Sequence, residues 1–123
     1  MGTFAGIDNV IISKTGYTGS GGFELYISNE NVEQIWDELF NVKDFEVKPI
    51  GLAARDTLRL EMGYCLYGND INELVTPIEA NLGWITKLDT NLIGSESIKK
   101  QIENGVKKKL VGFVINEKGI PRK

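Results

Sequence analysis

The chain has 123 residues, of which 41% are hydrophobic and 25% charged, and a formal net charge of −3. That length and composition suffice for one modest core, and the acidic balance argues against a nucleic-acid partner, which would call for a concentrated basic surface. One cysteine and no histidine exclude an internal disulfide framework and remove the commonest general acid/base and the commonest transition-metal ligand.

No metal is therefore expected, and any chemistry must rest on carboxylates, arginines, tyrosines or backbone groups. A chain without a cysteine framework fits a reducing, intracellular compartment. No apolar run approaches the roughly 20 residues that span a bilayer, so no membrane role is expected. The start Met1-Gly2-Thr3-Phe4 has neither the basic nor the apolar segment of a signal peptide.

Val10-Ile11-Ile12 and Phe23 to Ile27 are β-branched and aromatic runs on either side of Gly16 to Gly22, which predicts a hairpin with a glycine-rich connection. In the second strand Phe23, Leu25 and Ile27 share one face, and alternation puts Glu24 and Tyr26 on the other. The connection lacks the Gly-Lys-Ser/Thr ending of a phosphate-binding loop and reads as a glycine-permitted turn.

Ser28 or Asn29 is a candidate N-cap for a helix over about residues 30–41, where Val32, Ile35, Trp36, Leu39 and Phe40 recur at helical spacing. Trp36 is expected in the core. The next helix is expected to begin at Lys48-Pro49 and to stop at Gly63, with Ile50, Ala53, Ala54, Thr57 and Leu58 as its buried stripe. Arg55 and Arg59 fall one turn apart on a neighbouring stripe and repel unless acidic groups sit close; Asp56 and Glu61 are at hand.

Asn69-Asp70 and Thr76-Pro77 mark loops and changes of direction. Ile78 to Ile85 is ambiguous between helix and strand. Ile98 and Ile102 predict a short helix after Gly94-Ser95 that Asn104-Gly105 closes, and Leu110 to Ile115 predicts a strand. The chain then stops just past a turn signal, Gly119-Ile120-Pro121, which reads as a cut within a longer chain. The elements together predict an α+β fold, an antiparallel sheet with packed helices.

Three segments carry a resemblance. Ser13-Lys14-Thr15-Gly16-Tyr17-Thr18-Gly19-Ser20-Gly21-Gly22-Phe23-Glu24-Leu25 is the first. The second runs Gly51-Leu52-Ala53-Ala54-Arg55-Asp56-Thr57-Leu58-Arg59-Leu60-Glu61-Met62-Gly63-Tyr64-Cys65-Leu66-Tyr67-Gly68, and the third is Thr76-Pro77-Ile78-Glu79-Ala80-Asn81-Leu82-Gly83-Trp84. In this order and spacing, over roughly residues 10–121, they resemble the glycine-cleavage T-protein family of folate-binding aminomethyltransferases. Ser20-Gly21 departs from the acidic pair that the family often has there.

The resemblance implies a fragment of the T-protein folate-binding domains. Residues 1–109 would form part of that region, and residues 110–123 would lead into a C-terminal barrel domain. It implies an enzyme that takes the aminomethyl group from the lipoyl arm of an H-protein, passes the one-carbon unit to tetrahydrofolate and releases ammonia, in a bacterial cytoplasm rather than a mitochondrion. Glu24 corresponds to the carboxylate that pairs with the pterin's amino-pyrimidine edge, Arg55 to the pocket arginine, and Tyr64 to a position that touches the folate.

An arginine there can pair with that carboxylate or meet the anionic folate tail. No catalytic residue is expected in this chain, because the family's catalytic aspartate lies in a segment preceding anything present here. The alternatives are the folate domain of a sarcosine or dimethylglycine dehydrogenase-like enzyme, or a non-catalytic folate-binding module. The Lys-Gly-Cys-Tyr motif of the tRNA-maintenance relatives is missing.

Overall fold

The computed structural model describes residues 1–119, so the end of the turn signal at Ile120-Pro121 lies outside the described residues. The chain forms two compact units, Met1–Tyr64 and a second beginning at Cys65. The fold is α+β: the described residues form a three-stranded antiparallel sheet and three α-helices.

The first unit opens with β1 (Gly2–Phe4), a strand too short to stand out in the sequence, paired antiparallel to β2 (Ile7–Ser13). Ala5 and Gly6 make the two-residue connection, both with positive φ (49° and 76°). That is the backbone of a type I′ hairpin turn, whose twist matches the strands it joins. The pairs Gly2↔Val10 and Phe4↔Ile7 slip in register, and Asn9, at φ 62°, lies within the slip. The extra residue lets Val10, 1% exposed, become the most buried side chain of the sheet.

The predicted glycine-connected hairpin is present. β3 (Glu24–Tyr26) pairs antiparallel to β2 through Ile11↔Tyr26, Ile12↔Leu25 and Ser13↔Glu24. Leu25 and Ile27 are half-buried while Glu24 and Tyr26 are exposed, as alternation requires. Phe23 does not follow its face-mates and stays exposed in the loop before the strand.

α1 (Val32–Phe40) follows a 3-10 turn at Asn29–Asn31. Ile35 is its buried residue, 2% exposed, and Gln34 Nε2 donates to the Ala5 carbonyl in the first hairpin turn (3.3 Å). Trp36, expected in the core, is 54% exposed and rests its ring on Phe40 at 4.8 Å. One helical step is a turn of about 100°, so the residue after Ile35 lies on the flank.

α2 (Leu52–Glu61) begins later than expected. Gly51 is extended (φ −81°, ψ 167°) and its carbonyl accepts the first helical hydrogen bond from Arg55 N–H at 3.3 Å, so Lys48-Pro49-Ile50 precede the helix. Its end is as expected. Gly63 takes φ 70°, its N–H donates to Leu60 C=O and that of Tyr64 to Arg59 C=O, both at 2.9 Å. This is the paired closure that a left-handed residue past a helix end makes possible. The expected apolar stripe is not buried: Ile50, Ala53, Ala54, Thr57 and Leu58 are all exposed, and the buried residue of α2 is Arg59.

In the second unit, Gly68 (φ 87°) turns the chain so that its N–H donates to Ile71 C=O (2.8 Å), and Leu66 N–H donates to Asp70 Oδ2 (2.9 Å). Thr76 and Glu79 then cap each other. Thr76 N–H donates to Glu79 Oε2 (3.0 Å) and Glu79 N–H to Thr76 Oγ1 (3.3 Å), with Pro77 at the first turn position, where its missing N–H costs nothing. The ambiguous stretch is thereby resolved as a helical turn followed by a 3-10 turn at Gly83–Ile85.

α3 (Ser95–Asn104) is the predicted short helix, flanked by Gly94 (φ 83°) and Gly105 (φ 79°). It buries Ile98 but leaves Ile102 55% exposed. Ala80 and Glu79 are the other buried residues among those described in this unit.

The strand expected at Leu110 to Ile115 does not form. Among the described residues only Leu110 of this stretch is paired, its N–H donating to Glu79 C=O (2.8 Å) and its C=O accepting from Asn81 Nδ2 (2.6 Å). β-branched residues supply propensity, but a strand exists only as part of a ladder. No described strand lies alongside, and Phe113 and Val114 are left exposed.

Candidate functional site

The end of α2 and the glycine loop before β3 meet in the first unit. The closure at Gly63 turns Tyr64 back toward the helix, and Arg59 Nη1 donates to the Tyr64 carbonyl (3.1 Å). Arg59 is 3% exposed and its guanidinium is held by Asp56 Oδ1 through Nε (2.7 Å) and Nη2 (2.6 Å). A buried cation needs such partners to offset its desolvation, so Asp56 and Arg59 form the strut beneath the site.

Above that strut the Tyr64 ring stacks on Tyr17, with centroids 5.8 Å apart and planes inclined by 27°. The Arg55 guanidinium lies over the Tyr17 ring, its carbon 4.6 Å from the centroid, within the range of a cation–π contact. The repulsion foreseen between the two arginines is resolved by giving each its own partner. Arg59 takes the carboxylate and Arg55 takes the ring.

Glu24 stands at the start of β3, opposite Ser13. Its Oε2 accepts from the Thr15 hydroxyl, which also lies 2.9 Å from Ser13 Oγ. The carboxylate is exposed, oriented from one side and open on the other.

Of the three residues singled out from the sequence, the structure therefore joins Arg55 and Tyr64 through Tyr17. Among the described residues no ion pair links Glu24 to Arg55. Sequence reasoning does not single out Tyr17, because the glycines around it read as a turn. An aromatic residue inside a glycine-rich connection, where little else can pack, was the signal available.

Two other carboxylates have structural partners: Asp56 holds Arg59, and Asp70 receives the Leu66 amide. Among the described residues no three His, Cys, Asp or Glu side chains converge as metal ligands would, and no helix is long and apolar enough to cross a membrane. What the arrangement offers chemically is a flat aromatic surface, a cation fixed over it, and a carboxylate on the same hairpin as Tyr17.

Residues 1–90 match the family model described as the GCVT N-terminal domain. The chain belongs to that family. Within it, the chain is 59% identical to an aminomethyltransferase of Flavobacterium psychrophilum over 99% of its own length and 34% of the relative's. It is 54% identical to an aminomethyltransferase of Bacteroides thetaiotaomicron over 99% of this chain and 35% of that one.

The chain thus spans about a third of the length of these relatives. The crystal structure of the glycine cleavage system aminomethyltransferase T from Bartonella henselae is similar with a TM-score of 0.71. It is 35% identical, over 80% of this chain and 28% of that one.

Proposed function

We propose that the chain contributes a folate-binding surface to an aminomethyltransferase of glycine cleavage. That enzyme takes the aminomethyl group from the lipoyl arm of an H-protein, passes its one-carbon unit to tetrahydrofolate and releases ammonia. The observation that carries the reading is the Tyr17–Tyr64 stack beneath Arg55, with Tyr17 on the same hairpin as Glu24, in a chain 59% identical to a protein named aminomethyltransferase.

A pterin is flat and presents adjacent N–H donors along its amino-pyrimidine edge. A carboxylate can accept both at once, and a charge-assisted pair of that kind contributes more than neutral hydrogen bonds do. Glu24 fits this role, since Thr15 steadies Oε2 and leaves Oε1 free to accept. The tyrosine rings offer a face for the rest of the heterocycle. Arg55 is engaged by a ring rather than by Glu24, so its N–H donors remain available for the carboxylates of the folate tail.

On this reading residues 1–109 are part of the folate-binding region and residues 110–123 lead into the barrel domain. The chain's own residues bind and orient the acceptor, while the catalytic aspartate is supplied by sequence not present here. The enzyme works in the cytoplasm.

The test is a tetrahydrofolate titration, followed by protein fluorescence, of this chain and of a chain extended to the relatives' full length, each with and without Glu24→Ala. Binding should weaken in the variant by about 1.5–3 kcal/mol, the range for a hydrogen bond to a charged group. Failure of the extended chain to bind, or equal binding by its variant, would reject the role given to Glu24.

A further inference from the structure

Gly19 sits in the glycine loop at φ 77°, a left-handed conformation that disfavours any side chain. It is also pressed against α2's last turn. A Cβ built on Gly19 would lie 2.5 Å from both Cγ and Sδ of Met62 and 2.7 Å from its Cε. Met62 is the residue between the end of α2 and Gly63, two positions before Tyr64, and Gly19 is two positions after Tyr17. Met62, 50% exposed, therefore lays its thioether onto the loop backbone, where a side chain at position 19 would have to push it aside.

We propose that the Gly19–Met62 contact is the latch that positions Tyr17. By seating the loop on the end of α2, it fixes the ring that Arg55 covers and Tyr64 stacks on. The inference rests on the folate-binding reading for its consequence, though the latch itself is a property of the free chain. Without the latch, a loop containing Gly16, Gly19, Gly21 and Gly22 has more backbone states to choose from, and the side-chain contacts of Tyr17 would have to order it unaided. Met62 touches the loop backbone, so it is a positioning residue that acts through Tyr17.

Three variants of this chain test it, Met62→Ala, Met62→Leu and Gly19→Ala, each first checked for native far-UV circular dichroism. In the free chain, Met62→Ala and Gly19→Ala should both lose the NMR cross-peaks between the Tyr17 and Tyr64 rings. Met62→Leu, which restores apolar bulk, should keep them. Affinity for tetrahydrofolate should fall about tenfold in Met62→Ala, equivalent to about 1.4 kcal/mol, and return in Met62→Leu.

Non-additivity supplies the independent check. Gly19→Ala should lower the melting temperature less in the Met62→Ala background than in the native chain, because the clash is gone and only the backbone strain is left. Persistence of the ring cross-peaks in Met62→Ala, or equal melting shifts in the two backgrounds, overturns the latch. Should this chain fail to bind tetrahydrofolate, the affinities are compared in the extended chain, whose own failure to bind would count against the folate reading alone, and the ring cross-peaks still decide the latch.

Discussion

Helices α1 and α2 look alike in the sequence, each with apolar residues at helical spacing, yet α1 buries an isoleucine and α2 an arginine. α1 has the first hairpin turn beside it, to which Gln34 is hydrogen-bonded, and Ile35 is withdrawn from solvent. α2 exposes Leu52 at 81% and Leu60 at 59%, and instead draws Arg59 inward toward Asp56 and the Tyr64 carbonyl. An apolar stripe states what a helix could bury, whereas the neighbours present decide what it does bury. In α2 the ordered face is the polar one, and that face carries the candidate site.

The largest effect should come from emptying the buried position of α1. Ile35→Ala removes a side chain 2% exposed and should cost about 2–4 kcal/mol in urea unfolding. A loss under about 0.5 kcal/mol, the usual size of a surface change, would place the core of the first unit elsewhere and dissolve the contrast between the helices.

The next effect probes the other half of the comparison. Asp56→Ala removes a carboxylate that holds Arg59 and should cost about 1–3 kcal/mol, below the full penalty for breaking a buried pair because Asp56 itself is half-exposed. Asp56→Asn keeps an acceptor at Oδ1 and should recover part of the loss. Arg59 would then be shown to be held by charge as well as by hydrogen bonding if the two variants differ, with the comparison made at low and high salt. Equal stability of Asp56→Ala and the native chain would mean that Arg59 is satisfied without Asp56.

A smaller cost, about 1 kcal/mol or somewhat more, is expected for Gly63→Ala, since φ 70° is open to glycine and strained for alanine. Its more telling consequence is positional, because the same turn carries Tyr64 to Tyr17. Loss of the Tyr17–Tyr64 ring cross-peaks should accompany the drop in stability.

These differences also mark what could be read from the sequence. The glycine-connected hairpin, α1, α3 and the stop at Gly63 were legible because their signals are local: β-branched runs, helical periodicity, and glycines where φ is positive. The burial of Arg59 and the exposure of Trp36 were not, because each depends on which neighbour occupies one face. Leu110 to Ile115 has the composition of a strand but only Leu110 finds hydrogen-bond partners among the described residues. At the site, Glu24, Arg55 and Tyr64 could be named from motifs. That Arg55 meets Tyr17 rather than Glu24 is a fact of three-dimensional placement.

The smallest expected effect is the sharpest test of the difference between the helices. Leu52→Gln replaces a large apolar side chain at the first position of α2 with a polar residue of comparable helix propensity. If α2's apolar face is uncovered in this chain, the change removes almost no buried area and should alter stability by less than about 0.5 kcal/mol, as surface substitutions generally do. It should also raise solubility, because a contiguous exposed apolar patch favours self-association, which sedimentation velocity at increasing concentration would reveal. A cost comparable to that of Ile35→Ala would mean instead that Leu52 is covered in solution. If that cost grew with protein concentration, the cover would be a second copy of the chain.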